Sequence, residues 1–213
     1  MKATAILPVK RFGAAKSRLA AGIDRTRREA LATAMLADVL EAISAARTVE
    51  RTIVVTAEPR AAAAAAKAGA MVLADRADEG HSEAALAGIA AAEAQGATCV
   101  VLLPIDCPLM DPHELDRLLT GVPERYVTVV PDRHGTGTNA LVLSPPGAIR
   151  PAFGEGSCQR HVAAARGAGA PYGIEELATL GLDIDTPADV VALARELEAN
   201  PGRATRTAKA LGI

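Results

Sequence analysis

The chain has 213 residues, of which 50% are hydrophobic, 23% are charged and 2% are aromatic, and its formal net charge is −2 at pH 7. A chain of this length can bury a core without a metal ion or a disulfide, and its apolar fraction excludes general disorder. With no excess of positive charge, two Tyr, two Phe and no Trp, the composition argues against a nucleic-acid-binding protein.

Neither a membrane span nor an export signal is expected. No apolar run approaches the ~20 residues that cross a bilayer, and the first residues lead directly into a strand-like run. Cys99, Cys107 and Cys158 are far apart and have no metal-binding spacing, so free thiols and a cytoplasmic location are expected. The sequence leaves the oligomeric state open, a homo-oligomer included.

Apolar, β-branched runs alternate with Ala-rich segments of helical character along the chain. The strands predicted from these runs are Ala3–Val9, Thr52–Thr56, Met71–Leu73, Thr98–Leu103, Tyr126–Val130 and Ala140–Leu143. The predicted helices are Arg25–Arg47, Pro59–Gly69, Ser82–Gln95 with Ser82 as N-cap, Asp111–Thr120, Cys158–Arg166 and Thr186–Glu198.

This alternation predicts a three-layer α/β fold with a mostly parallel, mixed sheet. Residues 1–199 are predicted to form one domain, and residues 200–213 a basic C-terminal tail with a weak helical pattern. Sheets of this kind bind ligands beyond the carboxyl ends of their strands, so polar residues directly after strands are the candidate site residues.

The first such group follows the first strand, in the stretch L-P-V-K-R-F-G-A-A-K-S-R-L-A. It contains four cations and a glycine that lets the backbone approach a ligand closely: Lys10, Arg11, Gly13, Lys16 and Arg18. Backbone N–H groups combined with cationic side chains favour a phosphate chain. The spacing is not that of a Walker A loop, and a solvated basic loop is the alternative interpretation.

Acidic residues form the second group. Asp106 comes directly after the most hydrophobic strand, and Asp183, Asp185 and Asp189 cluster in L-D-I-D-T-P-A-D. Carboxylates at the carboxyl edge of a sheet suit Mg²⁺, which takes one or two protein carboxylates and completes its shell with phosphate and water. A turn aspartate at Asp106, and helix capping around Pro187, are the alternatives.

Two glycine-rich segments form the third group, His134–Leu141 and Phe153–Ser157. The Gly-Ser pair before the helix predicted at Cys158–Arg166 favours a second anion site at a helix N-terminus, although ordinary turns fit equally well. His81 lies in no recognisable catalytic pattern and is predicted to be a capping or surface residue.

Taken together, these segments resemble a known family. The opening stretch, the strand-end D-C-P, the G-T-G-T-N-A-L and F-G-x-G-S segments and the D-x-D-T-P-x-D ending are similar to those of the 2-phospho-L-lactate or phosphoenolpyruvate guanylyltransferases of deazaflavin coenzyme biosynthesis. The resemblance covers about residues 3–189. It implies a Rossmann-like, GT-A-like nucleotidyltransferase fold and a Mg²⁺-dependent transfer of GMP from GTP to a small phosphorylated acid, with release of pyrophosphate.

The resemblance also implies roles for particular residues. Lys10, Arg11, Gly13, Lys16 and Arg18 would bind the nucleotide, with Lys16 and Asp106 catalytic. Asp106, Asp185 and Asp183 would be the metal ligands, and Thr138, Gly154 and Ser157 would hold the phosphorylated acid. The partners implied are GTP and that acid, either phosphoenolpyruvate or 2-phospho-L-lactate.

Two alternatives remain at this point. One is a related nucleotidyltransferase of the cytidylyl or molybdopterin type, which usually has a G-G-x-G-x-R-x-x-P-K opening where this chain has K-R-F-G-A-A-K-S-R. The other is a non-catalytic nucleotide-binding module, which would be expected to lack a metal carboxylate or a loop cation.

Overall fold

The computed structural model describes residues 3–14, 19, 24–75 and 80–213. Its seven strands are β1 (Ala3–Val9), β2 (Val49–Thr56), β3 (Met71–Ala74), β4 (Val100–Leu102), β5 (Tyr126–Pro131), β6 (Thr138–Ser144) and β7 (Tyr172–Ile174). Its helices are α1 (Arg25–Ala45), α2 (Pro59–Lys67), α3 (His81–Ala94), α4 (Pro112–Leu119), α5 (Ser157–Gly167), α6 (Pro187–Ala199) and α7 (Thr205–Leu211), with a short 3-10 helix at Phe12–Ala14.

The strands form one mixed sheet in the order β3-β2-β1-β4-β6-β5-β7. β1 pairs in parallel with β2 and β4, and β2 pairs in parallel with β3. β6 is antiparallel to both of its neighbours, β4 and β5, while β5 and β7 are parallel. The predicted α/β class with a mostly parallel, mixed sheet is therefore confirmed.

Helices cover both faces of this sheet and give three layers. One core contains residues of α1, α2 and α4 against the sheet, and the other contains residues of α3 and α5. Side chains of β1 alternate between these cores, with Leu7 in the first and Ile6 in the second. A strand buried on both faces has a continuous apolar sequence, which is why the period-two pattern is absent there.

The predicted starts of α4 and α6, where a proline occupies the first turn, agree with the structure. Asp111 caps α4 and Thr186 caps α6, in each case directly before a proline, because proline has the helical φ and no N–H to satisfy. The N-cap prediction at Ser82 was wrong, because α3 begins at His81 after Gly80, whose φ of 115° favours glycine. β7 was not predicted, since its three residues include Gly173 and carry little strand signal.

The C-terminal segment folds back onto α1. Asp38, on α1 and 5% exposed, accepts hydrogen bonds from the N–H of Thr207 at 2.8 Å and from its hydroxyl at 2.6 Å. Arg206 donates to the same carboxylate at 3.1 Å. The weak helical pattern predicted after residue 199 is thus the helix α7, held by a buried carboxylate. None of the described helices is both long and apolar enough to cross a membrane.

Gly88 allows α3 to pack directly against the sheet. A Cβ atom added there would overlap Cγ2 of Ile6 and lie 3.1 Å from Cγ2 of Val55. Both neighbours are buried core side chains, so neither can move aside without loss of packing.

We therefore expect Gly88→Ala to lower the free energy of unfolding by about 1–2 kcal/mol, because overpacking outweighs the gain in helix propensity. Urea unfolding followed by circular dichroism measures this. Gly167→Ala is the matched control, since nothing lies within 4 Å of its Cβ position, and it should leave stability unchanged or raise it. Equal effects of the two substitutions would contradict the packing argument.

Candidate active site

A polar cleft of about 620 Å³ lies at the carboxyl edge of the parallel strands. Lys10 enters it directly after β1, and Asp106 enters it from the loop after β4. Thr138, the first residue of β6, lines the same cleft. The sheet order explains this, because β1, β4 and β6 are adjacent and β6 starts at the edge where β4 ends.

The acidic residues predicted as metal ligands lie together in this cleft. Asp106, Asp183 and Asp185 all line it. The backbone N–H of Ile184 donates to the backbone carbonyl of Asp106 at 2.9 Å, which places the two acidic segments side by side. Ile184 is fully buried while Asp183 and Asp185 are partly exposed. An extended segment turns alternate side chains to opposite sides, so both aspartates lie on the side away from the core.

These carboxylates are close enough to affect each other's charge. Burial raises the pKa of Asp183 above its usual value, and the negative charges of Asp106 and Asp185 raise it further, against a hydrogen bond from the Asn139 amide. Within the described ranges, no group of three or more His, Cys, Asp or Glu side chains has the arrangement of a complete metal centre. A magnesium ion does not need one, since it usually binds through one or two carboxylates and substrate phosphates.

Asp189 lines the same cleft, but its carboxylate is engaged in structural contacts. It is 3% exposed, and its carboxylate accepts from the N–H groups of Asp185 and Thr186 at 2.9 and 2.6 Å. With Thr186 it forms a capping box at the start of α6, and it pairs with Arg133 from the β5–β6 connection. The capping alternative was therefore correct for this residue, which fixes the backbone of Asp185.

The opening basic loop is only partly described. Lys10 lines the cleft, whereas Arg11 and Gly13 are absent from its lining. A Cβ at Gly13 would lie 2.9 Å from Nη2 of Arg25, so its nearest described neighbour is the flexible end of a side chain. Lys16 and Arg18 lie outside the described residues, and their predicted roles remain predictions.

The three residues predicted to hold the phosphorylated acid line the same cleft, although they come more than a hundred residues after the basic loop in the sequence. They are Thr138, Gly154 and Ser157. Ser157 begins α5 and is 1% exposed. Gly154 and the N-cap Gly156 have φ values of 112° and 70°, which turn the loop into the helix start and favour glycine at both positions.

The loop of residues 152–156, which is the glycine loop, is held in place by Arg160 in the first turn of α5. The guanidinium of Arg160 donates to the carbonyls of Ala152 at 3.0 Å and Phe153 at 3.3 Å, and also to that of Glu155. The hydroxyl of Ser82 accepts from the N–H of Phe153 at 3.0 Å. The backbone of the loop is therefore fixed from two helices, α3 and α5.

His81 is a residue of the cleft that the sequence did not indicate. It was predicted to be a capping or surface residue, and this was wrong, because it lies in the first turn of α3 and lines the cleft. Burial lowers the pKa of His81, the charge of Asp106 opposes that shift and the charge of Lys10 adds to it. Its ring meets that of Phe153 edge-on at 5.0 Å. No residue pattern signalled this position, since the neighbours come from distant segments.

Asp132 organises the turn between β5 and β6. Its carboxylate accepts from the N–H groups of Thr136 and Gly137, both at 2.9 Å, and of His134 at 3.1 Å. Burial raises the pKa of Asp132, but these amide donors lower it more, so the net pKa is below its usual value. The G-T-G-T segment is therefore a carboxylate-bound turn beside the cleft.

Comparison with known proteins gives the same assignment as the residues. Residues 3–203 match the family described as guanylyl transferase, CofC-like. The chain belongs to this family. It is 46% identical to a phosphoenolpyruvate guanylyltransferase of Conexibacter woesei over 210 residues, which cover 97% of this chain and 94% of that protein. It is 41% identical to the protein of the same name from Sphaerobacter thermophilus, covering 91% and 93%.

A solved structure of another protein has the same fold as this CofC-like chain. A nucleotidyl transferase from Methanothermobacter thermautotrophicus superposes with a TM-score of 0.67 at 18% identity, covering 93% of this chain and 99% of the other. At that identity the likeness concerns the fold alone. The nucleotidyltransferase fold implied by the sequence motifs is confirmed.

The Asp132 turn gives a prediction on stability and pH. Asp132→Asn should lower the free energy of unfolding by about 1 kcal/mol at pH 7, because an amide offers fewer acceptor positions to the three N–H groups. Since the native pKa is lowered, the carboxylate contributes stability above its unfolded pKa of about 3.9 and loses it as the pH falls through the native pKa. The difference between the two proteins should therefore shrink below pH 4.

Urea unfolding at pH 7 and pH 3.5 measures this difference. Glu124→Gln, an exposed carboxylate changed to the same kind of amide, is the control and should show no loss at either pH. A difference between wild type and Asp132→Asn that stays constant down to pH 3.5 would contradict the role given to the charged carboxylate.

Proposed function

We propose that this protein transfers GMP from GTP to phosphoenolpyruvate with release of pyrophosphate, as a step of deazaflavin coenzyme biosynthesis. The observation that carries the proposal is the convergence of Asp106, Asp183, Asp185 and Lys10 on one cleft that Thr138, Gly154 and Ser157 also line. The relatives named phosphoenolpyruvate guanylyltransferase support phosphoenolpyruvate as the acceptor over 2-phospho-L-lactate.

The reaction itself requires little acid–base chemistry. A phosphate oxygen of phosphoenolpyruvate attacks the α-phosphorus of GTP and forms a new P–O–P bond. The bond from the α-phosphorus to the oxygen that bridges to the β-phosphorus breaks, and its electron pair leaves with pyrophosphate. A phosphate monoester has its second pKa near 6, so the attacking oxygen is already ionised and neither a protein nucleophile nor a general base is required.

Charge is the main obstacle to this reaction. Among the described residues that line the cleft, six are acidic and two are Lys or Arg, and both substrates are polyanions. One of those cations, Arg133, is already paired with Asp189. The substrates therefore need added positive charge, which the basic loop and a divalent cation would supply.

The carboxylates fit a magnesium ion. Asp106, Asp183 and Asp185 would hold it. Partial burial and the like charges of Asp106 and Asp185 raise the pKa of Asp183, and a divalent cation would relieve this repulsion. When bound, Mg²⁺ neutralises and orients phosphate oxygens. The backbone hydrogen bond from Ile184 to Asp106 keeps the ligand-bearing segments together before the ion binds.

The remaining roles rest on position in the cleft for some residues and on the resemblance of the sequence motifs for the others. Lys10 would contact the triphosphate from the end of β1, together with Lys16, Arg18, Arg11 and Gly13 of the same loop. Lys16 is the residue that we expect to neutralise charge on the α-phosphate during transfer. Thr138, Gly154 and Ser157 would hold the phosphorylated acid, because Thr138 and Ser157 carry hydroxyl groups and Gly154 lets the backbone approach an anion closely.

The first test is the substrate assay. Purified protein with GTP, phosphoenolpyruvate and Mg²⁺ should release pyrophosphate, and EDTA should abolish the release, because both polyanions then lack a counter-charge. CTP or ATP in place of GTP should support little release. Pyrophosphate is measured by a coupled colorimetric assay, and the dinucleotide product by mass spectrometry.

Three results would contradict parts of this proposal. Release with CTP alone would indicate a cytidylyltransferase. GTP binding without release for any phosphorylated acid would indicate a nucleotide-binding module. Full activity in EDTA would remove the metal from the proposal.

The second test concerns Asp106. Asp106→Asn should lower kcat by about 100-fold or more, because the loss of a metal-binding charge removes several kcal/mol of stabilisation from the transition state. The melting temperature should stay near that of the wild type, since Asp106 contributes no core packing. Glu198→Gln, which changes an exposed carboxylate on α6, is the control. Near-wild-type turnover of Asp106→Asn would remove Asp106 from the site.

A further inference from the structure

His161 is a fully buried histidine behind the part of the cleft assigned to the phosphorylated acid. It lies on α5 and is 0% exposed. Its Nε2 atom accepts a hydrogen bond from the backbone N–H of Ala152 at 2.9 Å, and its Nδ1 atom lies 3.0 Å from the hydroxyl oxygen of Thr138. The ring thus connects the glycine loop to the first residue of β6, two segments that are adjacent only in the folded chain.

These contacts fix the position of the ring proton. A backbone N–H can only donate, so Nε2 has no proton and a neutral ring carries it on Nδ1. The Nδ1–H group then donates to the Thr138 hydroxyl oxygen. Burial lowers the pKa of His161 to about 4, and the charge of Arg160 contributes to the shift, which agrees with a neutral ring near pH 7.

The direction of the first hydrogen bond determines the second. Because the Thr138 oxygen accepts from His161, its own hydrogen points away from the ring and is available to another acceptor. Thr138 lines the cleft together with Gly154 and Ser157. A hydroxyl whose oxygen accepts from the ring has its O–H turned to another acceptor, and an anion in the cleft is such an acceptor.

The same ring also stabilises the loop on the other side of the acid position. Ala152 comes two residues before Gly154, and the ring of Phe153 packs edge-on against His161 with centroids 5.2 Å apart. Removal of the ring would therefore free the Thr138 hydroxyl and take away the acceptor of the Ala152 N–H, while Arg160 and Ser82 still hold the neighbouring backbone.

We propose that His161 is a positioning residue for the phosphorylated acid, which presents the Thr138 hydroxyl as a hydrogen-bond donor to an anionic group of that substrate. This inference rests on the proposed function, since it assumes that the acid binds at Thr138, Gly154 and Ser157. His161 does not touch the substrate itself. Its effect is on the affinity for the acid and not on the nucleotide or the metal.

The experiment is a double-mutant cycle of His161→Gln and Thr138→Val, measured by steady-state kinetics with GTP and phosphoenolpyruvate. Each single substitution should raise the KM for phosphoenolpyruvate about 10-fold, the loss of one directed hydrogen bond to a charged group. The KM for GTP should change less than about 2-fold, which is much less than the change in the KM for phosphoenolpyruvate. The KM of the double variant for phosphoenolpyruvate should not exceed that of the weaker-binding single variant, because both substitutions remove the same hydrogen-bond donor. His113→Gln, on α4 and outside the cleft lining, is the control.

Several results would overturn this inference. An equal rise of both KM values, or additive effects of the two substitutions, would mean that His161 supports the fold generally. Long-range ¹H–¹⁵N spectra of the wild-type histidines provide a test that does not need the variants to fold. They should show His161 as the neutral Nδ1–H tautomer at pH 7, and an Nε2–H tautomer or an imidazolium would overturn the inference.

Direct binding separates this inference from the proposed function. Isothermal titration of phosphoenolpyruvate should show about 10-fold weaker binding for both single variants. The protein is loaded with Mg²⁺ and a GTP analogue that has a methylene group between the α- and β-phosphorus, so that GMP cannot be transferred during the titration. Weaker binding by the variants, with no pyrophosphate release by the wild type, would overturn the guanylyltransferase proposal alone. Unchanged binding with normal wild-type turnover would overturn the role of His161 alone.

Discussion

One backbone hydrogen bond holds the acidic side of this cleft together. The N–H of Ile184 donates to the carbonyl of Asp106, and so joins the loop after β4 to a segment that lies almost eighty residues further along the chain. Because Ile184 is anchored in a buried cluster with Leu182 and Leu193, the aspartates on either side of it have a defined direction. The like charges of Asp106, Asp183 and Asp185 are thus held together by apolar burial and by this amide, with further support from Asp189 and Asn139. As a consequence, the pKa of Asp183 is raised and its ionisation is less favourable.

The reversed strand β6 places the remaining side of the cleft. Leu102 pairs with Leu141 and Val100 pairs with Leu143 in an antiparallel register, so the residues before Leu141 extend beyond the carboxyl end of β4. Thr138 and the Asp132 turn therefore reach the edge where Asp106 and Lys10 lie. In a purely parallel sheet the start of this strand would lie at the opposite edge, and the G-T-G-T segment could not meet the aspartates.

The sequence predicted six of the seven described strands, most helices and the presence of Lys10, Asp106 and Thr138 at one edge of the sheet, because each of these is signalled locally. A continuous apolar run marks β4, and the D-T-P motif marks the start of α6. The direction of β6 could not be predicted, since an apolar run has the same appearance in either orientation. His81 and His161 were missed for a related reason. Their partners, Phe153, Thr138 and Ala152, lie on other elements, and no spacing along the chain brings them together.

The electrostatics of the cleft connect these features to the chemistry. The described lining of the cleft has six acidic residues against two Lys or Arg, so in the proposed function its own charges would not hold two polyanions, and selectivity would come from how counter-charge is distributed. In the proposed function, the aspartates would bind a cation beside the phosphates, whereas the glycine loop would offer only neutral donors, fixed by the Arg160 guanidinium behind it. Neutral donors at fixed positions discriminate mainly by geometry, whereas a cation attracts the more highly charged triphosphate more strongly than a monophosphate. Such a division of counter-charge would keep a nucleotide and a small phosphorylated acid in separate parts of one cleft.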